Sequence, residues 1–349
     1  MITQKDIARR LGVSQALVSR ALAGTAGQIG AAPATIQRIR ETAAQLNYRP
    51  SAAALTLRGT PTRTLGVVIK DFDDPFFGHL IGTLQGLALR REHSLILTGA
   101  FADQRSDELS ALLKHQVDGL LVVGSDFIPH GLAAFLQHGI PVVLIGSGAK
   151  MPGVCRVAMD EAHGLRQLVA HLKQLGHRQL GVLSNQAAPN RRRQALLAKL
   201  AQQAGLPLPV HCMAAPPLTA PEAGYQGMQQ LLQLEAHRRP TAILAMEDVM
   251  AQTALRALFE AGLQAPRDLS IAGIDDIPAA AMTIPALTTI RQPMQKMVEA
   301  AFELLVRPAE QRTARQEQQV VVQPELIIRE SCGRPHATAD DTLKGKATT

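Results

Sequence analysis

The chain has 349 residues, 46% hydrophobic and 19% charged, enough for two or three domains, and with no Trp, two Tyr and eight Phe its packing must rest on Leu, Ala, Val and Ile. It has no run of about 18 apolar residues, which excludes a transmembrane helix. Its first six residues lack the charged-then-apolar pattern of a secretion signal, so a cytoplasmic protein with no membrane partner is expected.

The net charge of +7 is concentrated at one end. Residues 1–58 hold eight basic side chains (Lys5, Arg9, Arg10, Arg20, Arg38, Arg40, Arg49 and Arg58) against Asp6 and Glu41. That is a net of +6, which leaves about +1 for the other 291 residues. A small basic segment ahead of a near-neutral body points to a polyanion partner, although charge alone fits a solvated basic face equally well. Three short helical patterns fit residues 4–47. In the first, Ile7, Ala8 and Leu11 share a face, and Gly12 follows where a tight turn needs a permissive backbone. Ser14 is placed to cap a second helix, with Val18, Ala21 and Leu22 inward and Ala16, Ser19 and Arg20 largely outward. A third pattern, about 34–47, buries Ile36, Ile39, Ala43 and Leu46. Two helices joined through Gly12-Val13-Ser14 make a helix-turn-helix, whose second helix enters the major groove of DNA. Gln15 and Arg20 suit base reading, since Gln pairs with adenine and Arg with guanine. A structural helical hairpin is the competing reading.

Ser51-Ala52-Ala53-Ala54-Leu55-Thr56-Leu57-Arg58 is a short Ala-rich segment ended by Gly59-Thr60-Pro61. A helix this short is marginal alone and needs a partner. From residue 64 short apolar strands alternate with helical stretches. The strands are Leu65–Ile69, Ser94–Leu97, Gly119–Val123 and Pro141–Ile145, then a new series Gly181–Leu183, Ala242–Ala245 and Leu269–Gly273. Buried strands alternating with helices mean parallel, doubly wound α/β sheets, and two series suggest two lobes. Ligands of such sheets bind beyond the carboxyl ends of the strands. Those positions hold Asp71-Phe72-Asp73-Asp74-Pro75-Phe76-Phe77, Gly124-Ser125-Asp126, Met246-Glu247-Asp248 and Ile274-Asp275-Asp276. Carboxylates beside an aromatic face suit a polyhydroxylated ring, and any single acid could equally be a helix cap.

The run Gln4–Ser14 followed by Leu17–Leu22 resembles the DNA-binding head of the lactose-repressor (LacI/GalR) family, and Leu46-Asn47-Tyr48-Arg49-Pro50-Ser51 resembles its stretch before the hinge. Asp74-Pro75-Phe76-Phe77, Val117–Leu121, Leu175–Arg178 and the highly specific Pro285–Pro293 extend the resemblance over about residues 3–332. It implies an all-α helix-turn-helix head and a two-lobed body like the periplasmic sugar-binding proteins, crossed by three chain segments. By position, Gln15, Ala16 and Arg20 would read bases, Ser14 and Ser19 would lie near phosphates, and Leu57, beside Arg58, would be a wedge pushed into the minor groove by a hinge helix paired across a dimer. Phe77 would stack on the ligand, Arg193, Glu247 and Asp275 would hold its polar groups, and Arg191 is a further candidate beside Asp74, Phe76 and Ser125. The implied organisation is a DNA-binding domain at 1–50, a hinge and linker at 51–61, and an effector-binding and dimerisation domain at 62–332. Its N-lobe would span about 62–161 and 292–322, its C-lobe about 162–291 and 323–332, with a polar, disordered tail at 333–349. The tail has no heptads, so a homodimer is expected.

The sequence departs from the family in several places. Ala23-Gly24 replaces Asn-Gly, the segment Gly24 to Pro33 is longer than usual, and Ala32-Pro33 replaces a Ser cap, so a different start for the third helix and a more mobile loop before it are expected. Glu247 stands where Asn is usual, Leu196-Leu197 replaces Gly-Phe, and Thr219 replaces an aromatic. An extra carboxylate disfavours an acidic effector unless Arg191 and Arg193 compensate. The expected function is a repressor whose affinity for a pseudo-palindromic operator is set by a sugar or sugar derivative. Neither rival fits as well. The nearest approach to a dinucleotide fingerprint, Gly146-Ser147-Gly148, fails at Met151-Pro152, and no P-loop, Gly-x-Ser-x-Gly or His-Glu-x-x-His motif occurs, so no enzyme, cofactor or metal is expected. A transport-type or other sugar-binding protein without DNA output would suit the body but not the basic head. His171 and His177 read as surface or capping residues, and the isolated Cys155, Cys212 and Cys332 as reduced thiols.

Overall fold

The computed structural model describes residues 2–48, 61–99, 107–124, 131–148, 150–307 and 318–335. The hinge expected at 51–61 (except Pro61), with Leu57 and Arg58, the candidate Ser125, and the tail from 336 lie outside the described residues. The chain divides into two compact units, Met1–Thr62 and Arg63–Thr349.

The first unit contains helices α1 (Gln4–Leu11), α2 (Gln15–Leu22) and α3 (Pro33–Gln45). Thr3 and Asp6 form a capping box that satisfies free N–H groups at the start of α1. The helix ends on Gly12 at φ 65°, a left-handed cap that L side chains enter only at a cost. Ser14 caps α2 by accepting from Leu17 N at 3.1 Å. Ile7, Ala8, Val18, Ala21, Ala26, Ile39 and Ala43 close one small core, with Ile36 and Leu46 partly buried against it. The lengthened segment after α2 contains a 3-10 turn, Ala26–Ile29, that tucks Ala26 into the core. The third helix starts at Pro33 after an Ala32 cap without a side-chain bond. Pro at this position lacks only an N–H that would be unsatisfied anyway.

The second unit is built on two six-stranded sheets. The first runs β11-β5-β4-β3-β1-β2, all parallel, from β1 (Thr64–Ile69), β2 (Ser94–Gly99), β3 (Gly119–Val123), β4 (Val142–Ile145), β5 (Val154–Met159) and β11 (Gln319–Val322). The second runs β12-β10-β9-β8-β6-β7, from β6 (Leu180–Leu183), β7 (Met213–Ala214), β8 (Ala242–Ala245), β9 (Ser270–Asp275), β10 (Thr288–Arg291) and β12 (Glu325–Ile327), with only the β10–β12 pair antiparallel. The chain therefore passes between the lobes three times: after β5, after β10 and after β11. Central strands such as β3 are buried at every position because helices cover both faces, while the edge strand β11 alternates between exposed and half-buried residues. The covering helices are α4 (Pro75–Arg90), α5 (Asp107–Lys114), α6 (Leu132–Gln137), α7 (Glu161–Gln174), α8 (Ala188–Gln203), α9 (Ala220–Leu232), α10 (Asp248–Glu260) and α11 (Met294–Val306). Among the described residues no helix is long and apolar enough to cross a membrane.

Helices α9 and α10 approach closely at Gly224, where a Cβ would sit 2.2 Å from the Met250 carbonyl oxygen. Gly224→Ala is expected to push the two helices apart at a cost of about 1–3 kcal/mol. Urea unfolding of the full chain measures it, and an unchanged midpoint would show that the backbone yields freely. His177 corrects the sequence expectation. It is buried, not at the surface, and its ring bonds Thr241 Oγ1 at 2.9 Å and the Gly333 carbonyl at 3.0 Å, so it ties the end of the second lobe to the sheet. Burial holds it below the ordinary histidine value, which keeps the ring neutral.

Candidate functional site

In the first unit the cap at Ser14 and the buried Val18 and Ala21 fix which way α2 faces. Gln15, Ala16 and Arg20 are exposed as a result, Ser14 is exposed at the helix start, and Ser19 is half-buried. Arg9, Arg10, Arg38 and Arg40 are also exposed. The unit presents short, addressable side chains at the N-terminal end of a helix, surrounded by unburied cations, which suits a groove edge flanked by phosphates.

The second unit holds a cleft, partly open to solvent, where the carboxyl ends of strands from both sheets meet. Lys70 and Asp74 follow β1, Gly124 follows β3, Gly146 and Ser147 follow β4, and Glu161 follows β5. From the other sheet come Asn190 and Arg193 on α8, Glu247 after β8, Asp275 at the end of β9 and Gln292 after β10. Phe76 and Phe77, T-shaped at 5.3 Å between ring centres, form an apolar wall. Six of the eight expected effector residues, Asp74, Phe76, Phe77, Arg193, Glu247 and Asp275, line this cleft. Arg191 does not: it is exposed on α8, two residues before Arg193, which places it on a different helix face. Its charge therefore lies outside the lining of the cleft.

Arg193 is the hub. It is buried, and its Nε donates to Glu161 Oε1 at 2.8 Å while Nη1 donates to the Met246 carbonyl at 3.3 Å. Burial works against its charge, but Glu161, Asp275 and Glu247 outweigh that and raise its pKa. Asp275 is pushed well above the ordinary carboxylate value, first by burial and then by Asp248 and Glu247, with Arg193 opposing. Its backbone sits at φ 122°, an unusual conformation for a residue with a Cβ, and its Oδ1 accepts from Gln292 Nε2 at 2.7 Å. Asp248, fully buried, accepts from Ile277 N at 3.0 Å and Thr289 Oγ1 at 2.6 Å and so braces this turn. Glu247 sits at the N-cap position, just before α10, without a side-chain capping bond; instead it accepts from Asn190 Nδ2 at 2.6 Å.

Asp74 does cap, accepting from Phe76 N at 2.9 Å, and still lines the cleft, so the capping and binding readings of this acid are compatible. Burial, with the Glu247 charge adding to it, pushes Asp74 up to about 6. Above the unfolded value of 3.8 the unfolded chain releases this proton while the folded chain keeps it, so the stabilisation is complete at low pH and is lost as pH rises through 6. Asp74→Asn retains the cap and removes that loss. Its stability advantage over the parent in urea is expected to grow from about pH 4 to about pH 7. An advantage that stays flat across this range would dismiss burial of the charge as the cause.

Sequence reasoning missed Glu161, Asn190 and Gln292. Glu161 follows β5, whose Cys155 and Arg156 break the apolar run and hid the strand. Asn190 had a legible signal: it stands three residues before Arg193, on the same helical face.

Residues 3–51 match the family described as "Bacterial regulatory proteins, lacI family", and residues 169–332 match "Periplasmic binding protein-like domain". The chain is 32% identical over 340 residues to the HTH-type transcriptional repressor PurR of Erwinia tasmaniensis, covering 95% of this chain and 97% of that protein. Its fold is similar to that of the lac repressor dimer bound to operator and the anti-inducer ONPF (TM-score 0.80, 23% identity, 95% of this chain and 99% of that one). It is also similar to that of the transcriptional regulator CelR in complex with cellobiose (TM-score 0.68, 24% identity, 95% and 100%). A basic helix-turn-helix unit, a two-lobed α/β body with a polar interlobe cleft, and similarity over nearly the full length together place this chain in the lacI family of DNA-binding transcriptional regulators.

Proposed function

We propose that the protein is a cytoplasmic repressor that binds a pseudo-palindromic operator as a homodimer and is controlled by a small polar effector, of the sugar or sugar-derivative class, in the interlobe cleft. It acts by binding, not by catalysis. The observation that carries the reading is the junction at Arg193: one buried side chain on the second lobe bonds Glu161, at the crossover from the first, so a ligand seated there touches both lobes. Operator contacts are assigned to Ser14, Gln15, Ala16, Ser19 and Arg20, with Leu57 as minor-groove wedge and Arg58 beside it. The effector is assigned to Asp74, Phe76, Phe77, Arg193, Glu247 and Asp275. The operator complex of the lac repressor dimer and the cellobiose complex of CelR support the two partner classes. Support for a second copy comes from large apolar side chains left in solvent on the second lobe, Ile284 at 97%, Met282 at 77% and Phe259 at 72% exposure.

A ligand shifts a two-state protein only by its differential affinity, commonly about 1–3 kcal/mol of coupling, and the effect is reciprocal. The test selects an operator from random DNA with the full chain, finds a stabilising ligand by thermal shift, and measures each affinity with and without the other partner. Equal coupling in both directions is expected. Tight effector binding that leaves operator affinity unmoved overturns the regulatory reading.

A further inference from the structure

The Gln292, Arg193 and Asn190 donors that line the cleft are largely committed inside the protein, while the carboxylates of Asp74, Glu161, Glu247 and Asp275 each accept through one oxygen only. Gln292 Nε2 is taken by Asp275, Arg193 Nε and Nη1 are taken by Glu161 and Met246, and Asn190 Nδ2 is shared between Asn185 Oδ1 at 3.0 Å and Glu247 Oε1 at 2.6 Å. Two acceptors facing Nδ2 fix the orientation of the Asn190 amide, because turning it over would set oxygen against oxygen. Asn190 lines the cleft, and the Oδ1 of this fully buried side chain, itself shielded from solvent, is consequently left without a hydrogen-bond partner. An orphaned buried acceptor is costly unless a bound donor meets it.

Charge points the same way. Asp74, Glu161 and Glu247 line the cleft against Lys70 and Arg193, beside an Asp275 whose burial favours its neutral form, and Arg193 is already bonded to Glu161. Asp74, on the first lobe, and Glu247, on the second, line the same cleft, and the Glu247 charge adds to the burial that raises Asp74. A neutral ligand can satisfy Asn190 but leaves these two carboxylates to lose water together as the lobes close over it, and an anion adds repulsion. A cationic donor removes both costs.

Resting on the effector reading above, we propose that the cleft selects an amine-bearing polyol, such as an amino sugar, whose ammonium group donates to the carboxylates of Asp74 and Glu247 while a neighbouring hydroxyl donates to Asn190 Oδ1. Arg193 and Asp275 then serve as a fixed frame rather than as an anion clamp.

The full chain is tested at neutral pH against matched triplets: glucosamine, glucose and glucuronate; galactosamine, galactose and galacturonate; and 1-amino-1-deoxysorbitol, sorbitol and gluconate. Thermal shift and calorimetric Kd are the readouts, with operator affinity followed in parallel. At least one amine is expected to bind more tightly than its neutral partner, and the acids are expected not to bind. Glu247→Gln, which keeps an oxygen for Asn190, is expected to weaken the amine about tenfold or more, as for loss of a charged hydrogen bond, and to spare the neutral compound. The proposal is overturned if no amine binds, if neutral or acidic members bind as well as the amines, or if Glu247→Gln leaves amine affinity unchanged. The two readings fail separately: an amine that binds without moving operator affinity sinks the regulatory reading alone, and a neutral or acidic compound that binds and moves it sinks only the charge selectivity.

Discussion

Replacing Arg193 by Ala is expected to destabilise the body by about 3–5 kcal/mol and to abolish its response to effector. Arg193 and Glu161 have side chains only 9% and 14% exposed, so removing the cation leaves the Glu161 carboxylate without its partner in a poorly solvated cleft. The main cost is the abandoned carboxylate, not the lost bond, which sets up a discriminating control. Adding Glu161→Gln to Arg193→Met is expected to restore much of the stability, because the stranded charge goes with its partner, yet not the effector response. The first unit has its own core and its own capped helices, so operator binding without effector is expected to persist in these variants at temperatures where the body stays folded. Urea unfolding and gel shifts read the two outcomes. A double variant as unstable as Arg193→Ala would show that the arginine holds the lobes by packing and not by charge.

The second large effect is expected at the DNA face. Arg20→Ala removes an exposed guanidinium from the outer side of α2, and a bidentate contact to a base edge is worth about 1–3 kcal/mol per half-site. In a symmetric dimer the loss counts twice, so operator affinity is expected to fall by roughly two to four orders of magnitude. Preference at one base pair of each half-site should relax. Arg9→Ala or Arg10→Ala should instead weaken all sequences about evenly and flatten the salt dependence, as loss of phosphate contacts does. Comparing binding-site selections for the parent and Arg20→Ala separates the two roles. An unchanged sequence preference removes Arg20 from the reading set.

The local elements were legible in the sequence because their signals are local. Gly12 followed by Ser14, with Val18 and Ala21 on one face, is enough to draw two capped helices and their buried sides, since turn geometry, capping and helical period act within a few residues. The unbroken apolar strands β1, β3, β4 and β8 were legible for the same reason. Strands interrupted by polar residues were not, and with β5 hidden, Glu161 behind it was hidden too.

By itself the sequence determined the basic head, the parallel α/β body and the acids that end its strands, all of which depend on composition and short-range period. Only the tertiary structure decided what those acids face. It set Arg193 on Glu161, left Arg191 in solvent, turned Asn190 so that its oxygen has no partner, and brought Asp74 and Glu247 from different lobes to one cleft. Those pairings join residues as far apart as Asp74 and Glu247, and no period or cap reaches that distance. They are set by how two sheets, crossed three times by one chain, bring their carboxyl ends together.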